Sequence, residues 1–169
     1  MKAGTPKKPR KARAPTPKGH FEALDHPGHL IRRLHQIAVS VFLREAREYK
    51  LTHVQYASLV AVEYAPGIDQ SRLGKLVALD RQTVSDVVQR LCEKGLLERK
   101  QKDRRTSALF LTGAARALIQ VMRTRLGVVD DIILEPLTLK ERKQFMALLA
   151  KLVNVNNELS RAPHSADAE

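Results

Sequence analysis

The chain has 169 residues, enough for one ordinary domain and short for two. It carries 30 Lys and Arg against 18 Asp and Glu, a net charge of +12, and is 43% hydrophobic but only 4% aromatic. That composition points to a helical core of Leu, Ala and Val rather than a β-sandwich, and no window approaches the roughly 18 uncharged apolar residues of a membrane span.

Residues 1–19 hold five Lys and two Arg with no acid, so this segment alone contributes +7. It also contains four of the eight prolines and almost no large apolar side chain, too little to offset the entropy of ordering. A disordered basic arm is expected over 1–25, with no apolar stretch of the kind a secretory signal needs. Such an arm adds sequence-independent contact with nucleic-acid phosphates, or is simply a solvated tail.

Asp25 before Pro27 and Gly28 marks a helix start, and Leu30, Ile31, Leu34, Ile37, Ala38, Val41 and Phe42 then recur at helical spacing. The first helix is expected over about 28–49. Thr52 caps a second helix carrying Leu59, Val60 and Val62, which stops at Pro66-Gly67. Asp69 caps a short third helix with Leu73, Leu76 and Val77. Asp80 caps a fourth, with Val84, Val87, Val88 and Leu91 on one face and Gly95 at its end. The period then changes: residues 96–100 and 107–112 read as two strands joined by the polar connector Gln101 to Thr106. Two long helices follow, about 114–134 and 139–159, split by Pro136. Leu118, Ile119, Met122, Leu148, Leu149 and Leu152 on them are expected to need a partner surface. A disordered tail is expected over 161–169.

Residues 81–106 hold eight Lys and Arg against four Asp and Glu, a net of +4, so nearly all the charge outside the arm sits on the fourth helix and the hairpin. On that helix Gln82, Ser85, Asp86 and Gln89 line the side opposite the apolar stripe, with Arg81 and Thr83 at its N-terminal end. Short side chains that donate and accept suit base edges in the major groove. Arg81 and Arg90 more naturally meet phosphates. The hairpin tip adds Lys102, Arg104, Arg105 and Thr106, where an Arg reaches the minor groove, and Asp103 is suited to holding a neighbouring Arg.

The stretch LGKLVALDRQTVSDVVQRLCEKGLLERKQKDRRTSALFLT resembles the helix-turn-helix and wing of the MarR family of bacterial regulators. The resemblance lies in Leu73–Leu79, Asp80-Arg81-Gln82-Thr83-Val84, Leu91 to Gly95, Asp103-Arg104-Arg105 and Leu111-Thr112, and the helix order extends it over about 28–160. Gly113-Ala114-Ala115 departs from it, because the family usually has a Pro-acid-Gly turn there. The resemblance implies a mainly α fold with a small β-hairpin wing: one winged helix-turn-helix domain over 26–160, with a DNA-binding lobe at about 52–112 and intertwined N- and C-terminal dimerisation helices at about 28–49 and 114–159. It further implies a homodimeric repressor on a palindromic operator, cytoplasmic and nucleoid-associated through double-stranded DNA.

Family members commonly release DNA when a small, often aromatic anion binds. Here His29, Arg32, Arg33 and Gln36 share a helix face near an N-terminus whose dipole favours negative charge, and two Arg forks suit a carboxylate or phosphate. The string PGHLIRRLHQI is similar to the first helix of members that control aromatic-acid degradation, some responding to aromatic acyl-coenzyme A thioesters of the hydroxycinnamoyl type. The same side chains also read as a solvated face or an interface salt-bridge set. Other readings stay open. His26 and His29, of the six histidines, with a distant acid make a metal-responsive regulator; Cys92, the single cysteine, makes a redox-responsive one, although its place on the apolar side favours packing. A sequence-nonspecific architectural DNA binder is a further alternative. No phosphate loop, nucleophile elbow or HExxH sequence is present, so no enzyme, catalytic residue, metal site or cofactor is expected.

Overall fold

The computed structural model describes residues 24–101, 107–160 and 162–164. Nearly all of the expected basic arm therefore lies outside the described residues, as do Lys102 to Thr106 at the hairpin tip and most of the expected C-terminal tail. The chain divides between Leu34 and His35, within its first helix, into two compact units.

Helix α1 spans Pro27–Glu45. It begins where the His26 carbonyl accepts from the N–H groups of His29 and Leu30, at 3.0 and 3.1 Å, rather than with a cap from Asp25. Proline fits this first position because its missing N–H has no partner there in any case. In the first unit Leu30 and Ile31 are exposed.

In the second unit α1 ends at Glu45, short of the expected Tyr49. Ala46 closes the last turn on the Phe42 carbonyl at 2.8 Å, Arg47–Tyr49 tighten into a 3-10 turn, and Lys50 turns left-handed at φ 51°. The reason is burial: Phe42, Ala46 and Leu51 all enter the core, which a straight continuation would not allow. Helix α2 (His53–Tyr64) starts at a full capping box, with Gln55 N–H donating to the Thr52 hydroxyl and Thr52 N–H to the Gln55 side chain. Helix α3 (Gln70–Leu76) is capped by Asp69 and helix α4 (Arg81–Glu93) by Asp80, as the sequence indicates.

Strands β1 (Leu97–Gln101) and β2 (Ser107–Leu111) pair antiparallel with Leu97 opposite Leu111 and Gln101 opposite Ser107. Residues 67–69 add a third short edge: Gly67 N–H donates to the Leu109 carbonyl and Leu109 N–H to the Ile68 carbonyl, both at 2.9 Å. Thr112, expected to end β2, instead caps helix α5 (Gly113–Leu134) by accepting from Ala115 N–H. The Gly-Ala-Ala departure thus starts an ordinary capped helix. Helix α6 (Leu139–Val155) begins with a Thr138–Glu141 capping box and ends four residues before the expected Leu159, where the Asn156 side chain donates to the Leu152 carbonyl and Asn157–Leu159 tighten into a 3-10 turn.

One core joins α2, α3, α4, the hairpin and the N-terminal half of α5 around Leu59, Leu73, Val88, Leu91 and Leu109. Ile119 and Met122 belong to it at 0% and 1% exposure, so they do not need the partner surface expected for them. Leu148 and Leu152 do stand exposed, and α6 has no buried residue.

Candidate functional site

Asp80 organises the start of α4. Its carboxylate accepts from Thr83 N–H at 2.8 Å and from the Thr83 hydroxyl at 2.9 Å, so the first turn is pinned at the end that would enter a groove. Helical arithmetic then separates two faces. Val84, Val87, Val88 and Leu91 are buried, while Gln82, Asp86, Gln89 and Glu93 form the row farthest from them and are exposed. Arg81 and Arg90 flank the row, exposed; Thr83 and Ser85 flank it, half-buried. The seven described residues expected to meet DNA therefore lie on or beside one polar face, and the five at the hairpin tip lie outside the described residues.

The position of α4 depends on two helix ends built alike. After α4, Leu96 N–H donates to the Leu91 carbonyl and Gly95 N–H to Cys92, with Gly95 left-handed at φ 65°. After α3, Leu79 N–H donates to the Gly74 carbonyl and Ala78 N–H to Lys75, with Ala78 left-handed at φ 52°. Gly74 allows the turn between α3 and α4 to close: a Cβ there would stand 3.1 Å from the Leu79 carbonyl oxygen and 3.3 Å from Val84 Cγ1. From the other end of α4, the Lys94 ammonium donates to the Lys50 carbonyl and to Gln55 Oε1, joining α4 to the α1–α2 turn.

Between α3, the start of α4 and the hairpin lies an open groove of about 640 Å³, lined in part by Gln70, Ser71, Lys75, Arg81, Arg99 and Ser107. Lys75 and Arg99 add cations to a surface whose charge the sequence places on Arg81, Arg90 and the hairpin tip. Lys100 lies with its ammonium 5.1 Å from the centre of the Phe110 ring, a cation–π contact that ties the hairpin's two strands.

Helix α1 runs unbroken through His29, Arg32, Arg33 and Gln36, so their spacing does put them on one face. His29 is half-exposed, the others are exposed, and none of the four side chains makes a hydrogen bond or ion pair with a described residue. Cys92 is half-buried against the core. Among the described residues no three His, Cys, Asp or Glu side chains stand close enough to hold one metal ion, so His26 and His29 have no third ligand there.

A second feature was not legible in the sequence: an open cleft of about 860 Å³ lined by His53, Tyr56, Val60 and Tyr64 of α2, Leu76 and Val77, Leu126 and Asp130 of α5, and Val153, Asn154, Asn157 and His164. Its walls are apolar and aromatic with a few polar groups, the usual make-up of a small-molecule site. His53 packs edge-on against Phe42, ring centres 5.5 Å apart, and its pKa is lowered, first by burial and then by His35. Burial raises the Tyr56 phenol above its ordinary range, opposed by Arg123, which itself pairs with Glu63. The chain closes this region at its C-terminal side through two hydrogen bonds between Asn157 and His164, at 2.8 and 2.9 Å. Only the Tyr and His residues of α2 hint at it in the sequence, because its other walls come from elements far apart in the chain.

A MarR family profile matches residues 49–106, from the α1–α2 turn to the residue before β2. The PcaV transcriptional regulator of Streptomyces coelicolor, solved in complex with its natural ligand, is 33% identical with a TM-score of 0.73, over 80% of this chain and 97% of that one. The chain belongs to the MarR family. The transcriptional repressor NicR of Pseudomonas putida is 27% identical over 150 residues, 88% of this chain and 95% of NicR. BpsR of Bordetella bronchiseptica, whose DNA binding is regulated by 6-hydroxynicotinic acid, is 29% identical with a TM-score of 0.75, over 80% of this chain and 99% of BpsR. In this MarR protein α3 and α4 are the helix-turn-helix and β1–β2 the wing. Among the described residues no helix is long and apolar enough to cross a membrane.

Proposed function

We propose that the protein is a cytoplasmic transcriptional repressor that binds a palindromic operator as a homodimer and leaves it when a small aromatic anion binds. The observation that carries this is the exposed polar face of α4 beside a cationic groove, in a chain related to NicR and PcaV. Gln82, Ser85, Asp86 and Gln89 face the bases, with Thr83 at the helix start; Arg81, Arg90 and the groove cations take the phosphates, and Lys102, Asp103, Arg104, Arg105 and Thr106, between the two strands in sequence, add further DNA contacts. The domain takes in 26–160, with 52–112 as the DNA-binding lobe.

The second copy covers apolar surface that one chain leaves open. Ile37, Leu43, Val128, Met146, Leu148, Leu152 and Val153 are all exposed, and α6 buries none of its residues. Such faces on helices at both ends of a chain support a two-fold dimer, which spaces half-sites about one DNA turn apart.

Two places are proposed for the effector, each by itself. The face of His29, Arg32, Arg33 and Gln36 suits an anionic group; within the second unit, the open cleft between α2, α5 and α6 suits an aryl ring. The regulation of BpsR by 6-hydroxynicotinic acid supports an aromatic acid; an acyl-coenzyme A thioester rests on the likeness of the first helix alone, and control of aromatic catabolism genes goes with either. Footprinting of the full-length protein across its own promoter region tests the repressor reading: one protected palindrome is expected, and equal affinity for random DNA at physiological salt overturns it. A thermal-shift screen of aromatic acids beside their thioesters then selects the effector class.

A further inference from the structure

The outward row of α4 pairs its own side chains. Gln82 Nε2 donates to Asp86 Oδ1 at 3.0 Å, and Gln89 Nε2 donates to Glu93 Oε1 at 3.0 Å. Each glutamine thereby commits an amide N–H to an acid one turn further on. What the first pair retains toward an incoming surface is chiefly acceptors: Gln82 Oε1 and the remaining lone pairs of the Asp86 carboxylate. Asp86 also stands one turn behind the pinned helix start and is exposed, well away from the C-terminal end where Glu93 lies.

A carboxylate at that place is costly on a DNA-binding face. Phosphates on both sides of the major groove repel it whatever the sequence, and its neighbouring cation Arg90, one turn on, is drawn toward those phosphates. Only a hydrogen-bond donor on a base edge offsets the repulsion. Donors in the major groove are the exocyclic amino groups, cytosine N4 and adenine N6; guanine and thymine present acceptors there, thymine with a methyl group. We propose that Asp86, oriented by Gln82, selects the base at one position of each half-site by accepting from the amino group of a cytosine or adenine. This rests on the operator-binding reading above. A Gln–Asp pair one turn apart also stabilises a helix, but that role makes no distinction between DNA sequences.

The test is selection from random-sequence duplex DNA by the full-length protein and its Asp86→Ala and Asp86→Asn variants, with helix content and melting of each recorded. The wild type is expected to enrich a symmetric motif. Asp86→Ala should keep the rest of that motif and lose its preference at one symmetric position, where the wild type discriminates on the order of tenfold. Asp86→Asn should shift that position toward adenine, which an amide reads through N6 and N7. Placing 2-pyrimidinone or unsubstituted purine at the position removes the amino group, and should weaken the wild type while leaving Asp86→Ala unchanged. The same motif from Asp86→Ala, even at lower affinity, overturns the proposal, as does an equal loss for both proteins on removing the amino group. If Asp86→Ala fails to fold, an unchanged motif from Asp86→Asn overturns it instead. No enriched motif from the wild type overturns the operator-binding reading itself, and this proposal with it.

Discussion

The Thr112 hydroxyl donates to the Gly95 carbonyl at 2.8 Å while its oxygen accepts from Ala115 N–H at 3.1 Å. One side chain thus ties the turn after the recognition helix to the start of α5, and Thr112 N–H adds a bond to the Leu96 carbonyl at 3.2 Å. Thr112→Val keeps the shape and removes every side-chain bond of this residue. It is expected to lower the unfolding free energy by about 1–2 kcal/mol in urea denaturation, and Thr112→Ser by much less.

The end of α3 makes opposite predictions for alanine and glycine at two positions. Ala78 sits in a left-handed conformation that costs an L-residue roughly 1–2 kcal/mol, so Ala78→Gly should stabilise by up to about 1 kcal/mol after the glycine's greater chain entropy is subtracted. Gly74→Ala should destabilise by about 1 kcal/mol, because its Cβ would stand 3.1 Å from the Leu79 carbonyl oxygen and 3.3 Å from the buried, branched Val84, and displacing them outweighs the helix propensity gained. Thermal melts of both variants check the pair; a higher Tm for Gly74→Ala contradicts the close approach.

His53 sets a pH dependence. Its folded pKa lies below the ordinary 6.5, so under acid the unfolded chain takes up a proton that the folded ring resists. Stability is then full above pH 6.5 and falls as the pH drops from there toward the folded value. Tm measured from pH 8 down to 5, in steps of about half a unit, should fall less steeply for His53→Gln than for the wild type.

Replacing Arg32 and Arg33 by Ala should leave operator affinity within about threefold of the wild type and blunt release by the effector at least about tenfold, since a bidentate Arg–anion contact is among the stronger charge-assisted bonds. Titrating the effector against a preformed protein–operator complex measures this. Unchanged release assigns the anion elsewhere.

Deleting residues 1–19 removes seven cations and no acid. Binding to every DNA should weaken, and the slope of log affinity against log salt should become shallower by about 0.9 for each phosphate that the arm neutralises in the full-length protein, with the preferred site unchanged. Affinities across a salt series, on operator and random duplex, decide it.

What the sequence determined by itself was local. The caps at Thr52, Asp69 and Asp80, the two faces of α4 and the change of period at Gly95 each depend on residues within a turn or two of one another, and all are present in the structure. The exposure of Arg81, Gln82, Asp86, Gln89 and Arg90 on α4 was legible for the same reason. Tertiary structure decided where helices stop and what faces what. Helix α1 ends at Glu45 because Ala46 and Leu51 are drawn into the core, and Ile119 and Met122 are covered by their own chain rather than by a partner. The cleft that brings Tyr56 near Asn154, and the bonds from Lys94 to Lys50 and Gln55, join residues separated by tens of positions. Periodicity and capping act through the nearest turn of backbone. A cleft or a strut exists only once distant side chains have packed, and no local pattern encodes that meeting.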